Sequence, residues 1–154
     1  MSMVHLPTID DYLRELPKRI ADEAAWFAEG FEFVVTSSRF SLYDTALDRS
    51  VREFHRAWET TLLYDRYYHE APSGRHRIFT NQGDLPLSGA KERAWEAIDA
   101  ARVDMGRAFE EMLRRIRTHY VTVEVDKRSD EAWRGYRTHL REVRALMEAD
   151  AADD

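Results

Sequence analysis

Between Trp133 and Met147 the chain carries two stripes at helical spacing. Trp133, Tyr136, Leu140, Val143 and Met147 recur at steps of three and four, so they share one face of a helix. Arg134, Arg137, Arg141 and Arg144 recur at the same steps one residue later, about 100° of rotation away. A helix of this kind buries its apolar seam against other helices and edges the packing with arginine. The rest of the chain has to supply those helices.

Three further segments repeat the seam. Ile9, Leu13, Leu16, Ile20, Ala24 and Phe27 form the first, with Thr8 as N-cap and Asp10 and Asp11 at the positive end of the helix dipole. Pro17 interrupts it: either the helix kinks, or a short helix ends near Glu15 and Pro17 opens the next. Gly30 is placed to stop it. Phe40, Tyr43, Leu47, Val51, Phe54, Trp58 and Leu62 predict a second helix running to about His69. A third starts at Ser88 or Gly89, lined by Ala94, Ile98, Ala101, Met105, Phe109, Met112 and Ile116. Ser129 caps the fourth. Phe31 to Thr36 and Tyr120 to Val125 are β-branched and aromatic, so each reads as a strand or a helix end. Residues 71–90 hold Pro72, Ser73, Gly74, Gly83, Pro86, Ser88 and Gly89, which predicts a long loop with a turn at Asn81-Gln82-Gly83. Loops of this length are uncommon and often functional.

The expected fold is all-α. It is a four-helix up-and-down bundle with a long central helical hairpin, and it leaves room for a two-stranded β-ribbon. One domain spans 1–154, with an ordered core over 8–148 and an acidic, frayed tail at 149–154. The two middle helices, roughly 30 residues each, would be about 45 Å long, and the outer two are shorter. Part of the hairpin would then be uncovered within one chain, which a second copy in a two-fold dimer could cover. Nine aromatic residues between Phe31 and Tyr68 are more than one seam needs, and they point the same way.

Composition removes several classes of function. Hydrophobic residues are 44% and charged residues 34%, too apolar for disorder and too charged for a membrane protein. The N-terminus lacks the charged and apolar regions of a signal peptide, so the expected location is the cytoplasm. With no cysteine there is no disulfide, thiolate metal site or cysteine nucleophile. A net charge of −6 disfavours nucleic acid as the partner, although a local ridge can still be basic.

Chemical signatures are sparse. No histidine has a carboxylate three residues before it, so the paired-metal pattern of helical bundles is missing. His55 with Glu59, and Asp65 with His69, sit four apart and read as intrahelical contacts. Phosphate-binding glycine loops and the Gly-x-Ser-x-Gly elbow are absent. No cofactor and no metal are expected. In Tyr64-Asp65-Arg66-Tyr67-Tyr68-His69-Glu70, aromatics interleave with charge, as they do at protein contacts.

Arg134-Gly-Tyr-Arg-Thr-His139 places an arginine five residues before a histidine, late in a small helical chain. It is similar to the Arg-x4-6-His pattern of HEPN domains. The resemblance covers six residues and implies a dimeric helical bundle that cuts RNA without metal. Arg134 would hold a phosphate and His139 would move a proton.

The leading expectation is a non-enzymatic interaction or assembly protein, a homodimer that presents helix faces to itself or to a protein partner, away from any membrane. Its expected contact residues are Tyr64, Tyr67, Tyr68, Arg134, Arg137, Arg141 and Arg144. The alternatives are a HEPN-like ribonuclease using Arg134 and His139, and a binder of anionic ligands or nucleic acid. The binder would use the loop at 71–90, with Arg75, His76 and Arg77, and the arginine rows on helix four and at Arg107, Arg114 and Arg117.

Overall fold

The computed structural model describes residues 4–81 and 86–151. The expected turn at Asn81-Gln82-Gly83 falls largely outside the described residues, as does the end of the acidic tail at 152–154. The chain is mostly helical. Among the described residues there are five α-helices and one small antiparallel sheet: α1 (Leu6–Glu15), β1 (Arg19–Ala21), α2 (Asp22–Val35), α3 (Thr45–Leu62), β2 (Tyr68–Glu70), β3 (His76–Phe79), α4 (Gly89–His119) and α5 (Val125–Asp150).

There are five helices rather than four because Pro17 splits the first seam. The residue before a proline is pushed out of the helical region, and Leu16 is extended at φ −64°, ψ 145°. The chain then runs through β1 before α2 begins at Asp22. Gly30 does not stop α2, which continues to Val35. Phe31 and Val35, four residues apart, are both buried, with the Phe31 ring 5.2 Å from Phe54 and 6.0 Å from Trp58. That packing overrides the β propensity of Phe31 to Thr36. Tyr120 to Glu124 is likewise no strand. It is the turn between α4 and α5, held by Val123 N–H donating to Tyr120 O at 2.8 Å.

The second seam starts later and ends earlier than its periodicity predicts. Asp44 caps α3 by accepting from Ala46 N and Leu47 N, which leaves Phe40 to Tyr43 outside the helix. The same carboxylate accepts from Arg115 Nε at 2.7 Å and from the Tyr120 hydroxyl at 3.1 Å. The start of α3 therefore lies beside the end of α4. Midway, Phe54 stacks on Phe109 at 5.4 Å. The two helices run antiparallel.

Past α3, what reads as helix and loop is a hairpin. β3 is the central strand, flanked by β1 and β2. The β2–β3 connection closes as a tight turn, Ala71-Pro72-Ser73-Gly74, with Gly74 N–H donating to Ala71 O and Gly74 at φ +61°. A side chain at that φ would be strained, so glycine suits the position. Phe79 of β3 meets Trp95 of α4 edge-on at 5.2 Å. The part of α4 that outruns α3 is thus covered by the hairpin, where the periodicity alone suggested a second copy. The core holds Trp58, Phe27, Phe31, Phe54, Ile98 and Met105, all less than 2% exposed.

Candidate interaction surface

Helix α5 is rooted on the body by about its first four turns, from Val125 to His139. It starts at Val125, with Glu124 at the N-cap. Ser129 lies inside it, buried, and its hydroxyl accepts the Leu6 backbone N–H at 2.8 Å, which ties α5 to the start of α1. The His5 ring stacks on Trp133 at 4.6 Å. Trp26 of α2 lies 5.2 Å from Tyr136 and 5.8 Å from His139. Burial pushes the His5 ring below its ordinary pKa, and the Asp130 and Asp11 carboxylates partly offset this.

Beyond His139 no hydrogen bond, ion pair or ring contact ties α5 to another element among the described residues. The seam nevertheless continues. Leu140 is 46% exposed, Val143 37%, Leu146 67% and Met147 68%. From Arg137 to Asp150 this is about 21 Å of helix at 1.5 Å per residue, carrying an apolar face to water. Isolated exposed leucines are ordinary, but a continuous helical seam is an interaction signature.

The arginine ridge is also unpaired. None of Arg134, Arg137, Arg141 and Arg144 makes an ion pair among the described residues. Arg134 Nε donates to Asp130 O, and Arg141 donates to Arg137 O and to the Thr138 hydroxyl. The row Arg107, Arg114 and Arg117 on α4 differs. Arg107 pairs with Asp104, Arg114 with Glu111, and Arg117 with Asp126. The α4 row is thus neutralised by neighbouring acids, whereas the α5 ridge is a row of arginines without ion pairs among the described residues.

A groove of about 880 Å³ lies between α5 and the body. Trp133, Tyr136, Leu140 and Arg144 line one wall, and Asp11, Glu15, Asp22, Glu23, Arg19 and Arg75 line the rest. Asp11 pairs with Arg14, and Glu15 with Arg19. Asp22 and Glu23 have no ion pair among the described residues. Their charge nonetheless reaches α5: the Tyr136 phenol is pushed above its ordinary pKa, first by burial and then by Glu23 and Asp22. Asp22 and Glu23 therefore face the root of α5, in a groove that also holds Arg19, Arg75 and Arg144. Asp22 and Glu23 did not stand out in the sequence, although two acids opening a helix just after Pro17 are a visible signal.

The remaining sequence candidates are dispersed. Tyr68 is buried, and its hydroxyl donates to Pro17 O at 2.8 Å, so it links the hairpin to the α1–β1 corner. Tyr64 and Tyr67 are half-buried with rings 6.4 Å apart, and Tyr67 stacks on Phe79. Arg77 pairs with Asp65, and His69 faces the Thr80 hydroxyl at 3.0 Å. His55 Nδ1 lies 3.4 Å from Glu59. Among the described residues, no three histidine, aspartate or glutamate side chains converge as a metal site. Arg134 and His139 are both exposed, and five residues of helix separate them by about 140°. His139 stacks toward Trp26 while Arg134 turns back along its own helix, so the fold does not bring the pair to one cleft.

The chain matches no protein-family model, no curated protein and no solved structure. Among the described residues, no helix is long and apolar enough to cross a membrane.

Proposed function

We propose that this chain is a non-enzymatic assembly protein whose working element is the projecting half of α5, and that its partner is a second copy. In this reading α1 to α4 form a four-helix bundle that serves as scaffold, and α5 carries the contact. One observation supports the reading above the others. The seam that packs on the body through Tyr136 runs on, in the same register, through Leu140, Val143 and Met147, which stay 46%, 37% and 68% exposed.

The magnitudes suit reversible association. The four exposed apolar side chains amount to about two fully exposed ones. Burying each fully is worth about 1.5–3 kcal/mol, so covering the seam contributes about 3–6 kcal/mol per copy. Two copies together gain about 6–12 kcal/mol against an association cost of about 4–15 kcal/mol, so the dimer is weak and depends on concentration.

Sedimentation velocity over a concentration series tests this. The wild type is expected to shift from monomer to dimer, and Leu140→Glu is expected to remain monomeric with an unchanged circular dichroism spectrum. A wild type that stays monomeric at all concentrations, or an L140E variant that dimerises normally, refutes the reading.

A further inference from the structure

Resting on that reading, we infer that each copy's groove receives the projecting half of its partner's α5, so that two chains exchange helices across a two-fold axis. The partner's Arg141 and Arg144 then face Asp22 and Glu23.

Size, area and charge support this occupant. A helix about 10 Å across and about 21 Å long fills about 1,650 Å³, and the half that sinks into a groove takes up about 800 Å³. The groove offers about 880 Å³. One such insertion buries about 660 Å² in total, below the roughly 1,200 Å² at which stable interfaces begin, whereas two reciprocal insertions bury up to about 1,300 Å². The area therefore favours exchange over a one-sided contact, and exchange closes the assembly at two copies.

Both sides of the electrostatic match lie at the groove, Arg144 on one wall and Asp22 and Glu23 on another, and they form no ion pair with each other among the described residues. The arginines of the ridge make no ion pair among the described residues, and neither do Asp22 and Glu23. The groove also contains the seam itself, since Trp133, Tyr136 and Leu140 form its wall. An incoming α5 meets apolar surface along its seam and carboxylates along its arginine flank. A nucleic-acid strand has no apolar face to cover the seam, and it would approach a chain of net charge −6. The binding surface and its ligand are thus both on this chain, as a two-fold interface requires.

Charge reversal in trans is the test, using two full-length variants. One carries Arg141→Glu and Arg144→Glu, and the other carries Asp22→Lys and Glu23→Lys. Alone, each sets like charges together at both grooves, and a Kd at least tenfold weaker than wild type is expected. Mixed in equal amounts, both grooves regain opposite charges, and native mass spectrometry should show a heterodimer of near wild-type affinity. If either variant dimerises as tightly as wild type, or if the mixture stays monomeric, the exchange is overturned. Should Asp22→Lys with Glu23→Lys fail to fold, Asp22→Asn with Glu23→Gln replaces it, and the expected result is loss of the salt sensitivity of wild-type dimerisation. If L140E is monomeric while both charge variants dimerise normally, the exchange fails and α5 pairing stands. If the wild type is a monomer, both fail.

Discussion

The attachment of α1 to α3 rests on a buried hydroxyl pair whose strength a double-mutant cycle can measure. Tyr12 and Thr61 are 2% and 0% exposed, and their oxygens lie 2.7 Å apart. The Thr61 hydroxyl donates its only proton to Trp58 O at 2.6 Å, so the Tyr12 hydroxyl must be the donor between the two. Burial, which disfavours the phenolate, holds the Tyr12 phenol above its ordinary pKa, so that proton stays in place. Tyr12→Phe removes one bond and leaves Thr61 satisfied through Trp58, at a cost of about 1 kcal/mol. Thr61→Val keeps the shape but strands the Tyr12 hydroxyl without an acceptor, at about 2 kcal/mol. The double variant strands nothing and should cost about 1 kcal/mol, well below the sum of the single changes. Urea unfolding at constant slope measures all four corners, and the coupling should be about 1–2 kcal/mol. Strictly additive costs would show that the pair is not bonded in solution, and the inferred direction of donation would fall with it.

The remaining predictions concern α5, the α3 cap and the HEPN-like pair. Because folding depresses the His5 pKa, the unfolded chain binds a proton that the folded chain resists as pH falls below about 6.5. The anchor of α5 is expected at full strength above that pH and weakened below it, seen as faster amide exchange in α5 after correction for the intrinsic rate; His5→Phe should remove the dependence. The Arg115 hydrogen bond, aided by Leu47 N–H, holds the Asp44 carboxyl well below the usual carboxylate range, so its contribution is present above the ordinary value of 3.8 and lost as acid protonates it. Asp44→Asn keeps a capping oxygen, and Asp44→Ala does not, so the alanine variant should melt lower than the asparagine variant and both below wild type. Structured RNA incubated with the protein in EDTA should stay intact; cleavage that disappears in His139→Ala would revive the ribonuclease reading.

What could be read from the sequence follows the length of each signal. The seam from Ala94 to Met112 spans five turns, and α4 appears where it predicts, opening at Gly89. Leu47, Val51, Phe54 and Trp58 are buried as their spacing requires. The strands are not legible in the sequence because three or four residues carry almost no periodicity. Tyr68 to Glu70 looked like the end of a helix, and His76 to Phe79 like part of a loop. The two segments that did resemble strands, Phe31 to Thr36 and Tyr120 to Val125, lost that identity to packing and to a turn. The arginine ridge was visible as a row. That it is unpaired, while the α4 row is neutralised, depends on which acids the fold brings near.

Apolar periodicity alone determined that this chain makes helices and which side of each is kept from water. Only the tertiary structure decided that β3 covers the overrun of α4 and that α5 makes its last ring contact with the body at His139. Trp133 and Tyr136 are written in the same pattern as Leu140 and Val143, yet the first pair meets His5 and Trp26 while the second meets solvent. The hydrophobic effect has no direction: it requires that a face be covered, and it does not specify the surface that covers it.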